Sequence, residues 1–191
     1  MAELSPLLEL LSGRARGELR GVSSVCSAHP AVLQAAFEHA VETGDPVLVE
    51  STSNQVNQEG GYTGVKPAEF AAFVARLAED AGLPPGRVIL GGDHLGPHPW
   101  RDQGATIAMA RAGTMVRDYV RAGYAKLHLD ASMACADDPL GPLAETVAAA
   151  RTADLAAAAE SAAAERPPGW PAPLYVVGTE VPPPGGQSSA H

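Results

Sequence analysis

Between residues 20 and 180 the chain repeats one pattern: a short β-branched apolar run, a loop rich in Gly, Pro and Asn, then a longer stretch of helical period. Five runs read as strands: 21–26 (GVSSVC), 47–51 (VLVES), 87–91 (RVILG), 126–130 (KLHLD) and 174–178 (LYVVG). Pro30 and Pro67 suit a first helical position, and Gly44 and Gly82 suit a helix stop. Phe70, Phe73, Val74, Leu77, Ala78 and Ala81 form one stripe, as do Ala108, Ala112, Met115, Val116 and Tyr119 before Gly123 breaks the period. The Ala-rich stretch 144–164 reads as a further helix, and RPPGWPAP at 166–173 as a rigid connection to the last strand.

Strands that alternate with helices run parallel, because each crossover must return the chain to the same end of the sheet by a right-handed turn. An open doubly wound sheet and a barrel both satisfy this. Polar residues recur at the C-terminal ends of the strands, and no glycine fingerprint for a dinucleotide follows the first one, which favours the barrel. Such barrels close with eight strands over roughly 250 residues. The expected fold is therefore α/β, a (β/α)8 TIM-barrel type truncated to five βα units, an open half-barrel that forms one incomplete domain over residues 1–191.

Composition narrows the function classes. The chain has 191 residues, 46% hydrophobic, with 13 Lys plus Arg against 22 Asp plus Glu and a formal net charge of −9. No clustered basic stripe is present, so nucleic acid is not the expected partner. The N-terminal MAELSPLLELLSGR is short, interrupted by Glu3 and Glu9, and lacks the layout of a signal peptide. No run is long enough to span a bilayer. Cys26 and Cys135 fall in no CxxC pattern, which fits reduced thiols and a cytoplasmic location.

Side chains alternate across a strand, so Lys126, His128 and Asp130 share one face of KLHLD while Leu127 and Leu129 share the other. The same parity groups Leu48 with Glu50, and Val176 and Gly178 with Glu180. Apolar faces pack under helices. A barrel mouth lined by Glu50, Asp93, His94, His128, Asp130 and Glu180 could bind a divalent metal and supply a general base, although Asp93-His94 could also cap a loop and His128 could be an ordinary interior histidine. The loop STSNQVNQEGGYTG is long and dense in amides, of which Asn54, Gln55 and Asn57 could bind sugar hydroxyls or simply satisfy one another. His98 and Trp100 in GPHPW read as a Pro-rich turn, and a Cys26–His29 nucleophile pair has no visible orienting partner.

SVCSAHP, ESTSNQVNQEGGYTG, GGDHLGP, KLHLDASMAC and GTEVPPPGG occur in this order over nearly the whole chain. Together they closely resemble the accessory-subunit family of class II D-tagatose-1,6-bisphosphate aldolase. The resemblance implies a barrel that stabilises and activates a separate catalytic aldolase subunit in galactitol or amino-sugar catabolism, as part of an oligomer that handles a sugar phosphate. By likeness to the catalytic class II enzymes, Asp93 corresponds to the proton-transfer base, His94 to a zinc ligand and Glu180 to a residue near the metal. The remaining histidine ligands of those enzymes come from later strands, which the chain ends before reaching. The alternative is a metal-dependent ketose or ketose-phosphate aldolase or epimerase built on Asp93 and His94. A nucleotide is not expected, because no GxxxxGK[ST] loop is present.

Overall fold

The computed structural model describes residues 6–178. Helix α1 (Pro6–Ala15) precedes β1 (Ser23–Cys26), α2 (Pro30–Thr43), β2 (Val47–Thr52), α3 (Pro67–Asp80), β3 (Val88–Leu95), α4 (Ala105–Arg121), β4 (Lys126–Leu129), α5 (Glu145–Ala164) and β5 (Leu174–Val177). All five expected strands form. Two features differ from expectation: α1 folds from the N-terminal apolar stretch, and β3 runs past Gly91 to include Asp93 and His94.

The strands make one parallel sheet in the order β1-β2-β3-β4-β5. A doubly wound sheet reverses its strand order at a switch point. Among the described residues the strand order has no reversal.

One face of the sheet carries the core. Val47, Val49, Leu127 and Leu129 join Leu33 and Phe37 of α2, Phe70 and Val74 of α3, Met115, Val116 and Tyr119 of α4, and Leu155 and Ala159 of α5 in a single apolar cluster. Both helical stripes face the sheet as their spacing requires, and a fully buried leucine such as Leu127 contributes about 1.5–3 kcal/mol over an exposed one. Ala-rich α5 packs closely on α4, with Ala158 against Gly113. The opposite face holds Leu48 and Ile89 near its base and polar side chains above them.

Helix ends follow local chemistry. Pro30 and Pro67 open α2 and α3, and Gly44 closes α2 at φ 73, a left-handed value that glycine adopts without a Cβ clash. Arg166 locks the connection before β5 by donating to the carbonyls of Val120 and Tyr124 while lying over the Trp170 ring.

The connection from β4 to α5 is pinned by two carboxylates. Asp137 accepts from the N–H of Ala105 at the start of α4, and Asp138 accepts from the Cys135 N–H and takes a two-pronged bond from Arg151 at 2.7 and 2.8 Å. The Arg151 hydrogen bonds hold the Asp138 carboxyl below its ordinary pKa. A depressed carboxylate adds stability above the unfolded pKa and loses it as pH falls through the folded one. Asp138→Asn should therefore lower unfolding free energy by about 1.5–3 kcal/mol at neutral pH. In urea melts the gap between the two proteins should begin to narrow once pH drops below about 4 and close only as pH falls through the depressed folded pKa.

Candidate functional site

The polar cluster begins with an irregularity in β3. Gly92 pairs with Leu127 and Leu95 with Leu129, so β3 carries one residue more than β4 across the same interval. Strict alternation would send Asp93 and His94 to opposite faces. The bulge lets both side chains reach the face opposite the helices and returns Leu95 to the core, fully buried. His94 absorbs the extra residue at φ 48, and among the described residues it is the one position other than glycine with positive φ. Gly96 completes the turn. A Cβ there would lie 1.6 Å from the Asp130 carbonyl oxygen, so no other residue fits without moving the backbone.

Parity then supplies the partners. Lys126 and His128 come from β4 and Glu50 from β2, with Asp130 just beyond β4. His128 Nδ1 lies 2.9 Å from Asp93 Oδ1, and His94 Nδ1 lies 3.0 Å from Asp130 Oδ2. A carboxylate only accepts, so each imidazole donates from Nδ1 and keeps Nε2 as its basic nitrogen. The two rings sit 4.6 Å apart, centre to centre. Lys126 bonds to Glu50 and lies 3.5 Å from Asp93, while Ser24 donates to the other oxygen of Glu50.

These contacts set the electrostatics. The His128 hydrogen bond is the main reason the Asp93 carboxyl sits below its ordinary pKa, with Lys126 and His94 acting in the same direction against partial burial. For Asp130, burial pushes upward but is outweighed by the Ser132 hydroxyl and N–H and by His94. Both are ionised at neutral pH.

Asp93, His94 and His128 each offer a ligand atom, all within 4.8 Å of one another. Two imidazoles whose Nδ1 atoms are tied to carboxylates, with Asp93 itself as the carboxylate donor, make a set suited to a divalent transition metal. Excess negative charge in the cluster also favours a cation, since Glu50, Asp93 and Asp130 face one ammonium, Lys126. The donor set thus fits a zinc-type ion through Asp93, His94 and His128. Glu180 lies outside the described residues.

Other candidates separate from this cluster. Asn57 uses its whole amide inside its loop, donating to the Ser53 carbonyl and accepting from the N–H groups of Glu59 and Gly61. Gln55 accepts from the Thr52 N–H and the Cys26 thiol. Asn54 is exposed and meets His98 Nδ1 at 3.0 Å, which leaves it the best placed of the three amides to meet a ligand. Trp100 is buried with its indole N–H on Glu59. His29 caps α2 through its ring, which removes it from any pairing with Cys26. Sequence reasoning put Lys126 on the right face without naming it as a site residue, and it missed Ser24 and Ser53, whose partners are distant in the chain, and Ser132, which bonds to Asp130 two residues away.

Comparison with known proteins identifies the lineage. Residues 7–191 match the family described as D-tagatose-1,6-bisphosphate aldolase subunit GatZ/KbaZ-like. The chain belongs to this family. It is 50% identical over 182 residues to the D-tagatose-1,6-bisphosphate aldolase subunit GatZ of Salmonella newport, covering 95% of this chain and 42% of the relative. It is 51% identical over 184 residues to a D-tagatose 6-phosphate 4-epimerase of Agrobacterium fabrum, covering 96% of this chain and 43% of that protein. A crystal structure of a probable tagatose 6 phosphate kinase from Sinorhizobium meliloti superposes with a TM-score of 0.77 at 48% identity, over 84% of this chain and 39% of the other. The chain thus spans well under half the length of these GatZ/KbaZ-like relatives.

Two expectations follow from the site geometry. Gly96→Ala should destabilise the fold by about 1–3 kcal/mol, the usual cost of overpacking, read as a lower denaturant midpoint with unchanged slope. The Cys26 thiol is pushed up to about 11, first by burial and then by Asp93 and Glu50. Iodoacetamide should therefore alkylate it far more slowly at neutral pH than a free thiol, with the rate still climbing beyond pH 9, because only the thiolate reacts.

Proposed function

We propose that this chain forms the first five βα units of a (β/α)8-barrel subunit that binds and stabilises the catalytic subunit of a class II tagatose-1,6-bisphosphate aldolase. Membership of the GatZ/KbaZ-like family over residues 7–191 carries this reading. A sequential parallel sheet with its helices on one face supports the barrel. Among the described residues no helix is long and apolar enough to cross a membrane. No P-loop accompanies the sheet, so the kinase description of the Sinorhizobium protein gains no support from this chain.

A second reading has its own observation: Asp93, His94 and His128 could together hold a metal ion, and one relative at 51% identity is named an epimerase. In this reading the site inverts C4 of a ketose 6-phosphate by opening and re-forming the C3–C4 bond. His94 and His128 would hold a zinc-type ion, with Asp93 within reach, and the ion would polarise the C2 carbonyl. Asp93, ionised and flanked by His128 and Lys126, takes the proton of the C4 hydroxyl as the bond opens and returns it after the aldehyde has turned over. Lys126, itself bonded to Glu50, holds the carboxylate in place, and the exposed amide of Asn54 is offered to the sugar hydroxyls.

One pair of measurements separates the readings. Mixing the full-length protein with a class II aldolase catalytic subunit should raise the partner's melting temperature and half-life, since a ligand of the native state stabilises it by mass action. Asp93→Asn and His94→Ala should leave that stabilisation intact. Saturating protein with no effect on the partner removes the subunit reading. In parallel, NMR of tagatose 6-phosphate should report conversion to its C4 epimer that disappears on chelation and in Asp93→Asn; no conversion by the wild-type protein removes the epimerase, and turnover that survives both treatments removes the ion and Asp93 as its machinery.

A further inference from the structure

His94 faces a conformational problem that its own sequence neighbours do not solve. Its φ of 48 lies where a side chain crowds the following carbonyl, so contacts from outside β3 are needed to hold it there. The Ser53 hydroxyl lies on its carbonyl. Ser53 follows β2, is 1% exposed, and donates to the His94 carbonyl oxygen at 2.9 Å. Ser53 is itself held, because Asn57 donates to its carbonyl at 2.9 Å while accepting from Glu59 and Gly61, which closes the loop on itself. A contact chain thus runs from the amide-rich loop through Ser53 to the backbone of His94, and through the His94 ring to Asp130.

We infer that Ser53, braced by Asn57, is a positioning residue that fixes the left-handed backbone of His94 and so aims its imidazole at Asp130 and the ion position. Its hydroxyl bonds to the His94 peptide, so its effect on the imidazole runs through the backbone. The loop that sequence reasoning assigned to sugar binding thereby acquires a second task, setting the geometry of the cluster from behind. Losing the Ser53 hydroxyl leaves the His94 carbonyl without this donor and lets the peptide relax toward an extended backbone. The pleat would then swing the ring away from Asp130.

The inference rests on the ion-binding reading for one arm of its test and is independent of it for the other. In the metal-free full-length protein, the Nδ1–H of His94 bonded to Asp130 should give a downfield proton resonance in NMR, assigned by its loss in His94→Gln. Ser53→Ala should broaden or abolish it, and Ser53→Thr should retain it. With Co2+ as probe, Ser53→Ala should weaken binding by about 10–100-fold, as loss of an orienting partner does, and alter the visible ligand-field spectrum, while Ser53→Thr restores both. If Ser53→Ala does not fold, Ser53→Cys keeps the shape with a weak donor and permits the same comparison. Wild-type protein that binds no Co2+ defeats the ion reading, and the proton resonance then decides for or against Ser53. An unchanged resonance in a folded Ser53 variant overturns the inference.

Discussion

The one-residue bulge in β3 is the constraint on which the polar face depends. A pleated strand presents alternate residues to alternate faces, and a regular β3 would place His94 among the apolar side chains under the helices. One extra residue between Gly92 and Leu95 removes that conflict: Leu95 returns to the core, and Asp93 and His94 stand together on the other side. The price is a left-handed backbone at a residue with a Cβ and a close passage at Gly96 that admits no side chain. Bulges concentrate at functional sites for this reason, since they re-aim side chains without breaking the sheet.

Around that bulge, the charged groups are mutually dependent. Asp93 bonds to His128 and faces Lys126, Asp130 is held by Ser132 and His94, and Glu50 is held between Ser24 and Lys126. Partly buried charges of this kind tolerate one another only when each has a partner, because removing one leaves another desolvated and uncompensated. The same pairing keeps both aspartates ionised and both imidazoles oriented, which is the state a metal-binding or proton-transfer site requires. The covering helices supply rigidity from the far side of the sheet, where Leu127 and Leu129 are fully buried beneath them.

Much of this was legible in the chain. Strand positions, the stripes on α3 and α4, the Pro and Gly helix boundaries and the face shared by Lys126, His128 and Asp130 follow from periodicities that act over a few residues. The amide-rich loop was legible only in part. Its composition suits sugar hydroxyls, yet Asn57 turns its amide inward to build the loop while Asn54 stays exposed beside His98, and nothing local distinguishes the two. Ser53 carries no signal at all, since its partner is 41 residues away. Strand parity placed His94 and His128 in one polar mouth, but which of its residues lie within ligand distance is set across strands, by register rather than by spacing along the chain.

The sequence by itself determined the parallel α/β architecture, the helix-facing core and the family, because hydrophobic period and local turn chemistry dictate them and half-identical relatives share them. Tertiary structure decided which polar residues become a site. Pairing between β3 and β4 sets the register, the register forces the bulge, and the bulge brings Asp93, His94 and His128 within ligand distance of one another, an outcome of long-range hydrogen bonding that no local pattern encodes.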